Sequence, residues 1–126
     1  MLYTRLAGLL LFTFLAVGYE PKPVVCAPAA GQGGSREFAV RAHKYAFEPA
    51  RIEVQQDDLV KITLSSDDIQ HSFTVDDYRI ARRVGGGQTT VFEFRADQPG
   101  TFPFYCNLTT DAACKDMRGT LSVRAR

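Results

Sequence analysis

Hydrophobic and polar residues alternate one by one along most of this chain, and this period constrains its fold more than any other feature. From Arg36 onward, short alternating runs follow one another, each with its large apolar residues on one face. Strict alternation is typical of half-buried β-strands, because successive side chains point to opposite faces. The residues predicted to face inward are Phe38, Val40, Ala42, Ile52, Val54, Val60, Ile62, Leu64, His71, Phe73, Val75, Phe92, Phe94, Ala96, Phe102, Phe104, Cys106, Leu121 and Val123.

Turn-forming residues separate these runs. The clearest breaks are Gln56–Asp58, Gly85–Gly87 and Asp97–Gly100, which contain the Asp, Gly and Pro residues that favour tight turns. About seven short strands without a convincing helix are typical of a sandwich of two sheets. The sequence therefore predicts an all-β, Greek-key β-sandwich over residues 36–126, with antiparallel or mixed sheets.

The N-terminal segment has the composition of an export signal. Arg5 is the only charged side chain before the apolar run Leu6–Gly18, which is shorter than the roughly 20 residues that a membrane-spanning helix needs. We expect a signal peptide over residues 1–18, a flexible leader over residues 19–35, and a periplasmic or other extracytoplasmic location. An uncleaved membrane anchor and a lipid attached to Cys26 remain as alternatives.

Charge and motif content exclude several classes of function. The 126 residues carry a net charge of +1, so there is no basic surface of the kind that binds nucleic acid. The glycines at Gly85–Gly87 are not followed by a predicted helix, and neither a Ser-His-Asp order nor an HExxH motif is present. We therefore expect a protein that is not an enzyme. The pairs Asp67–Asp68 and Asp76–Asp77 are interpreted as solvated turn residues.

Four residues with metal-binding side chains are predicted to gather at one end of the sandwich. Alternation places His71 on the inner face at a strand end and Cys106 at the mouth of the last loop. Cys114 lies within that loop, and Met117 lies just before the final strand. Imidazole, thiolate and thioether groups together are the donors that proteins use for copper. The four residues are therefore a candidate copper site.

At these residues the chain resembles the cupredoxins, and most closely the copper-binding domain of cytochrome c oxidase subunit II and related single-domain proteins. This resemblance implies a cupredoxin-like fold and one bound copper ion. It covers about Glu37–Val123 and depends on Phe47–Pro49, Ile52–Val54, Ser65–Val75, Ala96–Cys106 and Met117–Gly119.

The chain departs from that family within the last loop. The subunit II loop reads Cys, three residues, Cys, three residues, His, two residues, Met, and the same positions here hold Cys106, Thr110, Cys114 and Met117. A dinuclear centre with two bridging thiolates and two histidines cannot be assembled, and neither can a blue site with two histidines. The other histidine, His43, is predicted to face solvent on the first strand. The soft donor set favours Cu(I).

Two functions remain open from the sequence. The first is an exported copper-binding protein for electron transfer or copper handling, whose partners are redox or copper-trafficking proteins of the cell envelope. The second is a metal-free accessory or binding module closed by a Cys106–Cys114 disulfide, as expected for paired cysteines in an oxidising compartment. In that case His71 is a hydrogen-bonded core residue and Met117 only packs. Membrane contact is expected only through an uncleaved N-terminal segment or a lipid anchor.

Overall fold

The computed structural model describes Gly18, Pro21 and residues 33–126. The predicted signal segment, apart from Gly18, and most of the predicted leader lie outside the described residues. Two single turns of 3-10 helix, Asp76–Tyr78 and Cys114–Asp116, interrupt a chain of nine strands in the described part. The strands are β1 (Ser35–His43), β2 (Ala46–Glu48), β3 (Arg51–Gln55), β4 (Leu59–Ser66), β5 (His71–Val75), β6 (Ile80–Val84), β7 (Thr89–Arg95), β8 (Gly100–Tyr105) and β9 (Arg118–Arg124).

The strands form two sheets that pack face to face. One sheet has the order β2-β1-β4-β7, and the other has the order β3-β9-β8-β5-β6. The pairs β1–β4 and β3–β9 are parallel, and the other pairs are antiparallel. The predicted all-β sandwich with mixed sheets is therefore confirmed. No helix in the range that the structure describes is long and apolar enough to cross a membrane.

The inner faces of the two sheets hold the residues that alternation placed there, and all of them are buried or partly buried. Three phenylalanines form the centre of this core. Phe73 and Phe104 stack with ring centroids 4.6 Å apart, and Phe47 meets them edge-on at 6.0 and 5.3 Å. Aromatic pairs in these arrangements add to the stabilisation from burial alone. This core lies directly beneath the end that carries His71 and Cys106.

Two strands, β2 and β6, were not predicted from the alternation. In β6 the register places Arg82 opposite the inward-facing Phe73, where an apolar residue is expected. The guanidinium of Arg82 lies 5.8 Å from the ring centroid of Phe92 instead, so it covers the edge of the core. Because β6 is an edge strand, an inward-pointing charge also opposes pairing with a further strand. The hydrophobic pattern could not show this strand.

A buried carboxylate closes the opposite end of the sandwich. Asp58 is 2% exposed and accepts hydrogen bonds of 2.9 Å from the backbone N–H groups of Gly34 and Gln55. The Arg36 guanidinium lies 3.6 Å away, which provides a compensating charge. Buried charges are tolerated only when they are paired and hydrogen-bonded in this way. Asp58 therefore ties the beginning of β1 to the turn between β3 and β4.

We expect the substitution Gly119→Ala to destabilise the fold. An added Cβ at Gly119 would overlap the ring of Phe104 and lie 2.6 Å from the carbonyl oxygen of Ala50. Overpacking of this kind lowers the free energy of unfolding by about 2 kcal/mol, which chemical denaturation measures. Gly34→Ala is the control, because its new Cβ lies 3.7 Å from the nearest atom and should change little. Equal stability of the two variants would contradict the close approach at Gly119.

Candidate metal centre

Strand register places two of the candidate ligands side by side. The β8–β9 ladder ends with Tyr105 opposite Arg118, and the N–H of Cys106 then donates to the carbonyl oxygen of Met117 at 3.2 Å. Directly opposed residues of an antiparallel pair point to the same face of the sheet. Cys106 and Met117 are both 0% exposed, as the inner face requires. Their side chains are therefore neighbours in the core.

A second ladder connects this pair to β5. Thr74 lies opposite Tyr105, and the same register places Ser72 opposite Asn107. Two hydrogen bonds support that pairing, because the Asn107 N–H donates to the Ser72 hydroxyl at 2.8 Å and the hydroxyl donates to the Asn107 side-chain oxygen at 2.7 Å. The beginning of the last loop is thus fastened to the strand that begins with the candidate histidine.

The third candidate ligand lies on the same inner face. The register places Phe73 opposite Cys106, and His71 is the next inward-facing residue of β5. The residue is 1% exposed, so the imidazole is enclosed by protein. His71, Cys106 and Met117 therefore occupy neighbouring inner-face positions at one end of the sandwich.

The fourth candidate, Cys114, reaches this end through a tight turn. It begins the short 3-10 turn before Met117, whose N–H donates to the Cys114 carbonyl oxygen at 3.0 Å. The Cα atoms of Cys114 and Cys106 are 5.2 Å apart, and their sulfur atoms form a disulfide. The four candidates are thus at the same end, but two of the four donor atoms are bonded to each other.

The disulfide determines which metal chemistry is open to this form of the protein. A thiolate is the sulfur species that binds a metal, and neither Cys106 nor Cys114 is a thiolate while the bond is intact. Within residues 33–126, no three His, Cys, Asp or Glu side chains form a group that could hold a metal ion. The bonded form does not fit copper, so the four-residue ligand set remains a prediction for the reduced form.

A carboxylate that the sequence interpretation assigned to solvent holds the ring of His71. Asp68 Oδ1 lies 2.7 Å from His71 Nε2, and the carboxylate also accepts the N–H groups of Ile69 and Lys44, each at 2.6 Å. Desolvation raises the pKa of Asp68, but the hydrogen bonds from Ile69, His71 and Lys44 outweigh it and hold the pKa at about 2. Asp68 is therefore ionised at neutral pH, and the imidazole donates from Nε2.

The other ring nitrogen, Nδ1, can donate a lone pair to a metal when the imidazole is neutral. In a neutral imidazole that carries its proton on Nε2, Nδ1 has the lone pair. Nδ1 of His71 is buried without a hydrogen-bond partner among the described residues. Buried polar atoms are normally satisfied, so an exception needs an explanation. A lone pair fixed in place by a carboxylate on the opposite nitrogen is the arrangement that metal-binding histidines use, and His71 fits that role.

Asp68 lies in an exposed bend, as the sequence predicted, but its carboxylate also bonds to the ring three residues further along the chain. An aspartate three residues before an inward-facing histidine was the available signal. The side chain of His43 is partly exposed and lies outside the core, 3.3 Å from Glu48, in agreement with its predicted position on the outer face. Thr110, which occupies the position of the second family cysteine, is exposed in the last loop.

Asp111 organises the last loop independently of the disulfide. Its side chain accepts hydrogen bonds from the Ala113 N–H and the Tyr45 hydroxyl, both at 3.0 Å, and its carbonyl oxygen accepts from the Cys114 N–H at 3.1 Å. The hydrogen bond to Asp111 also raises the pKa of the Tyr45 phenol above its ordinary value. The loop is therefore joined to the turn between β1 and β2 by polar contacts that do not involve sulfur.

Comparisons with known proteins agree with this architecture. The family of the cupredoxin-like domain matches residues 8–123. Cytochrome c oxidase subunit 2 of Thermus thermophilus is 28% identical over 100 residues, which cover 78% of this chain and 74% of that protein. Nitrous-oxide reductase of Stutzerimonas stutzeri is 29% identical over 82 residues, which are 62% of this chain but only 13% of the reductase. The fold is also similar to a solved structure, the metal-binding domain of the Cu(I)-exporting P-type ATPase of Streptococcus pneumoniae D39 with Cu(I). The two superpose with a TM-score of 0.58 at 19% sequence identity. The match covers 71% of this chain and 86% of that one.

We expect Asp68→Asn to weaken the acid dependence of stability. The pKa of Asp68 is about 2 in the folded protein and 3.8 ordinarily, so its ionised form stabilises the fold above about pH 4. That contribution is lost as the pH falls through about 2. The unfolding free energy of Asp68→Asn should therefore decrease less than that of the wild type between about pH 4 and pH 2. Denaturation at a series of pH values measures how the unfolding free energy of each protein changes with pH. Equal changes in the two proteins would contradict the lowered pKa of Asp68.

We also expect reduction to destabilise the protein. The disulfide closes a loop with a sequence separation of 8, which contributes about 2–3 kcal/mol by the chain-entropy relation. The measurements use the variant Cys26→Ser, so that Cys106 and Cys114 are the only cysteines. Thiol titration of this variant, unfolded but not reduced, should detect no free thiol. Reductant should lower its melting temperature. A further Cys106→Ala/Cys114→Ala change should match the reduced protein and ignore reductant. Two free thiols before reduction would disprove the disulfide.

Proposed function

Because the chain belongs to the cupredoxin-like family, we propose that it is an exported copper-handling protein that carries Cu(I) in the cell envelope. The observation that carries this proposal is the buried Nδ1 atom of His71, which lacks a hydrogen-bond partner in the described part of the chain. It belongs to a ring on the same inner face as Cys106 and Met117. The thioether of Met117 and the two cysteines lie at the same end of the sandwich as this ring.

In the reduced form, one ion is held by His71, Cys106, Cys114 and Met117. The cysteine Cα atoms are 5.2 Å apart, so both sulfurs can reach the same ion without a change of backbone. Two thiolates and a thioether are soft donors, and soft donors select Cu(I). When bound, the metal is cargo; the protein supplies the donor atoms and keeps water away from them.

Carriage is favoured over electron transfer by the same donor set. A blue electron-transfer centre uses two imidazoles and one thiolate. The second histidine of this chain, His43, lies outside the core beside Glu48 and cannot supply the second imidazole. The solved domain with Cu(I) shares the fold, which shows that a sandwich of this shape accommodates the ion in another protein. Partners that deliver or accept copper fit this role, and no catalytic step is assigned to the domain.

A second function is favoured by the disulfide itself. Cys106 and Cys114 are buried, at 0% and 3% exposure, and are bonded in the form described here. A permanent bond would make the domain a metal-free accessory or binding module, in which Met117 packs against the core. The two candidates differ in whether the reduced protein takes up copper.

The copper proposal predicts one equivalent of Cu(I) per reduced protein in an anaerobic titration against the chromophoric chelator bicinchoninate. His71→Ala and Cys106→Ala should each weaken binding by more than about tenfold, since each removes a donor atom. His43→Ala is the matched control, because this histidine is partly exposed beside Glu48 and should leave binding unchanged.

Two outcomes would count against this proposal. If the reduced protein takes up no stoichiometric Cu(I), the metal-free module becomes the better account. If His43→Ala weakens binding as much as His71→Ala, the site is not the one described.

A further inference from the structure

The glycine turn after β6 lies against the bend that carries Asp68. Val84, the last residue of β6, is directly opposite His71, so the turn Gly85–Gly87 begins beside the first residue of β5. We propose that Gly86 is a positioning residue, whose lack of a side chain lets Asp68 approach closely enough to orient the ring of His71. This proposal concerns the ring alone and does not depend on bound copper.

Position 86 has no room for a side chain. A Cβ atom added to Gly86 would lie 2.5 Å from the carbonyl oxygen of Asp68 and 3.3 Å from the Cα atom of Ile69. Both are main-chain atoms, which cannot turn aside as the end of a flexible side chain can. The φ angle of Gly86 is not positive, in contrast to that of Gly87. Glycine is therefore needed at position 86 for the close approach and not for a left-handed backbone.

The turn cannot move away from the bend without breaking hydrogen bonds. The Gln88 N–H donates to the Gly85 carbonyl oxygen at 3.0 Å, which closes the turn. The Ser66 N–H donates to the Gln88 carbonyl oxygen at 3.0 Å, which joins the turn to the end of β4. The hydroxyl of the same serine donates to the carbonyl oxygen of Ile69 in the bend. One buried serine thus holds both sides of the contact.

The bend is also fastened to the turn between β1 and β2. The Asp67 N–H donates to the Ala42 carbonyl oxygen at 3.1 Å, and the Asp68 carboxylate accepts the Lys44 N–H at 2.6 Å. A methyl group added to the glycine turn would displace the main chain of Asp68 against these bonds. The displacement would move Oδ1 of Asp68 out of its 2.7 Å contact with His71 Nε2.

The consequence falls on the proton of the imidazole. A neutral imidazole carries its proton on one of its two nitrogens, and the acceptor that each nitrogen meets determines which. The Asp68 carboxylate favours the proton on Nε2 of His71, and Nδ1 has no partner among the described residues. Hydrogen bonds to an ionised group are the strong ones, so displacing the carboxylate removes most of this preference. Gly86 therefore determines, through Asp68, which nitrogen keeps its lone pair.

The test measures the tautomer of His71 in the full chain. The chain has two histidines, so the background variant His43→Ala leaves the signals of His71 alone. Two-bond proton–nitrogen correlation spectra distinguish the tautomers, at a pH well above the ordinary imidazole pKa of about 6.5. Gly86→Ala should lower the ratio of the Nε2-protonated to the Nδ1-protonated ring at least about tenfold, as expected for loss of a hydrogen bond to a charged group. Sucrose in every sample favours the folded state.

Two further variants separate positioning from a general disturbance of the fold. Gly85→Ala is the matched control, because the three atoms nearest to its Cβ all belong to the flexible side chain of Gln88, so the ratio should not change. Asp68→Ala should lower the ratio by itself. Gly86→Ala added to Asp68→Ala should lower it no further, because two changes that act through the same contact are not additive.

Three results would overturn the proposal. The first is an unchanged ratio in folded Gly86→Ala. The second is a further fall when Gly86→Ala is added to Asp68→Ala, because the glycine would then act through another contact. If Gly86→Ala does not fold, Ser66→Ala decides, since it removes the hydroxyl that joins turn and bend, and an unchanged ratio there is the third. None of these results changes the Cu(I) uptake of the reduced wild type, which the bicinchoninate titration measures separately.

Discussion

The pairing of β8 with β5 on one side and β9 on the other determines both the core and the candidate site. This double register places Phe73, Cys106 and Met117 in one inner-face row, with His71 in the next position. A slip by one residue would turn every side chain of β8 to the opposite face. The stacked rings of Phe73 and Phe104 oppose such a slip, because Phe104 would leave the core and lose its contact with Phe73. Packing of the core and placement of the ligands thus depend on one constraint.

The sequence could predict the fold and the facing of the site residues because both follow from a period of two. His71 shares its parity with Phe73 and Val75, and Cys106 shares its parity with Phe104, so burial of the phenylalanines carries the other two inward. The relation between Cys106 and Cys114 could not be predicted in this way. A separation of 8 suits a ligand loop and a disulfide equally, and the 5.2 Å between their Cα atoms depends on the 3-10 turn after Cys114.

Contacts between distant segments account for the rest of what the sequence did not show. Asp68 is fixed by the N–H of Lys44, which is 24 residues away, and its spacing of three residues from His71 does not reveal that contact. Strand β6 was missed because its inward-facing position holds a charged residue, Arg82, and not an apolar one. The guanidinium of Arg82 packs against the ring of Phe92 in the other sheet. Both residues matter through a partner that only the assembled sandwich supplies. The inward-facing position of His71 follows from local periodicity, whereas the hydrogen bond that orients its ring does not.

The buried carboxylate of Asp58 also determines how the domain is oriented on any tether. Through Gly34 it fixes the point where the chain enters the sandwich, beside the beginning of β1 and β4. Strand β1 then runs from Ser35 to His43, a span of roughly 30 Å, before the chain reaches the end that carries the disulfide. An attachment made through residues before Gly33 would therefore hold the domain at the end opposite the disulfide. The end that contains the buried disulfide would then lie farthest from the point of attachment.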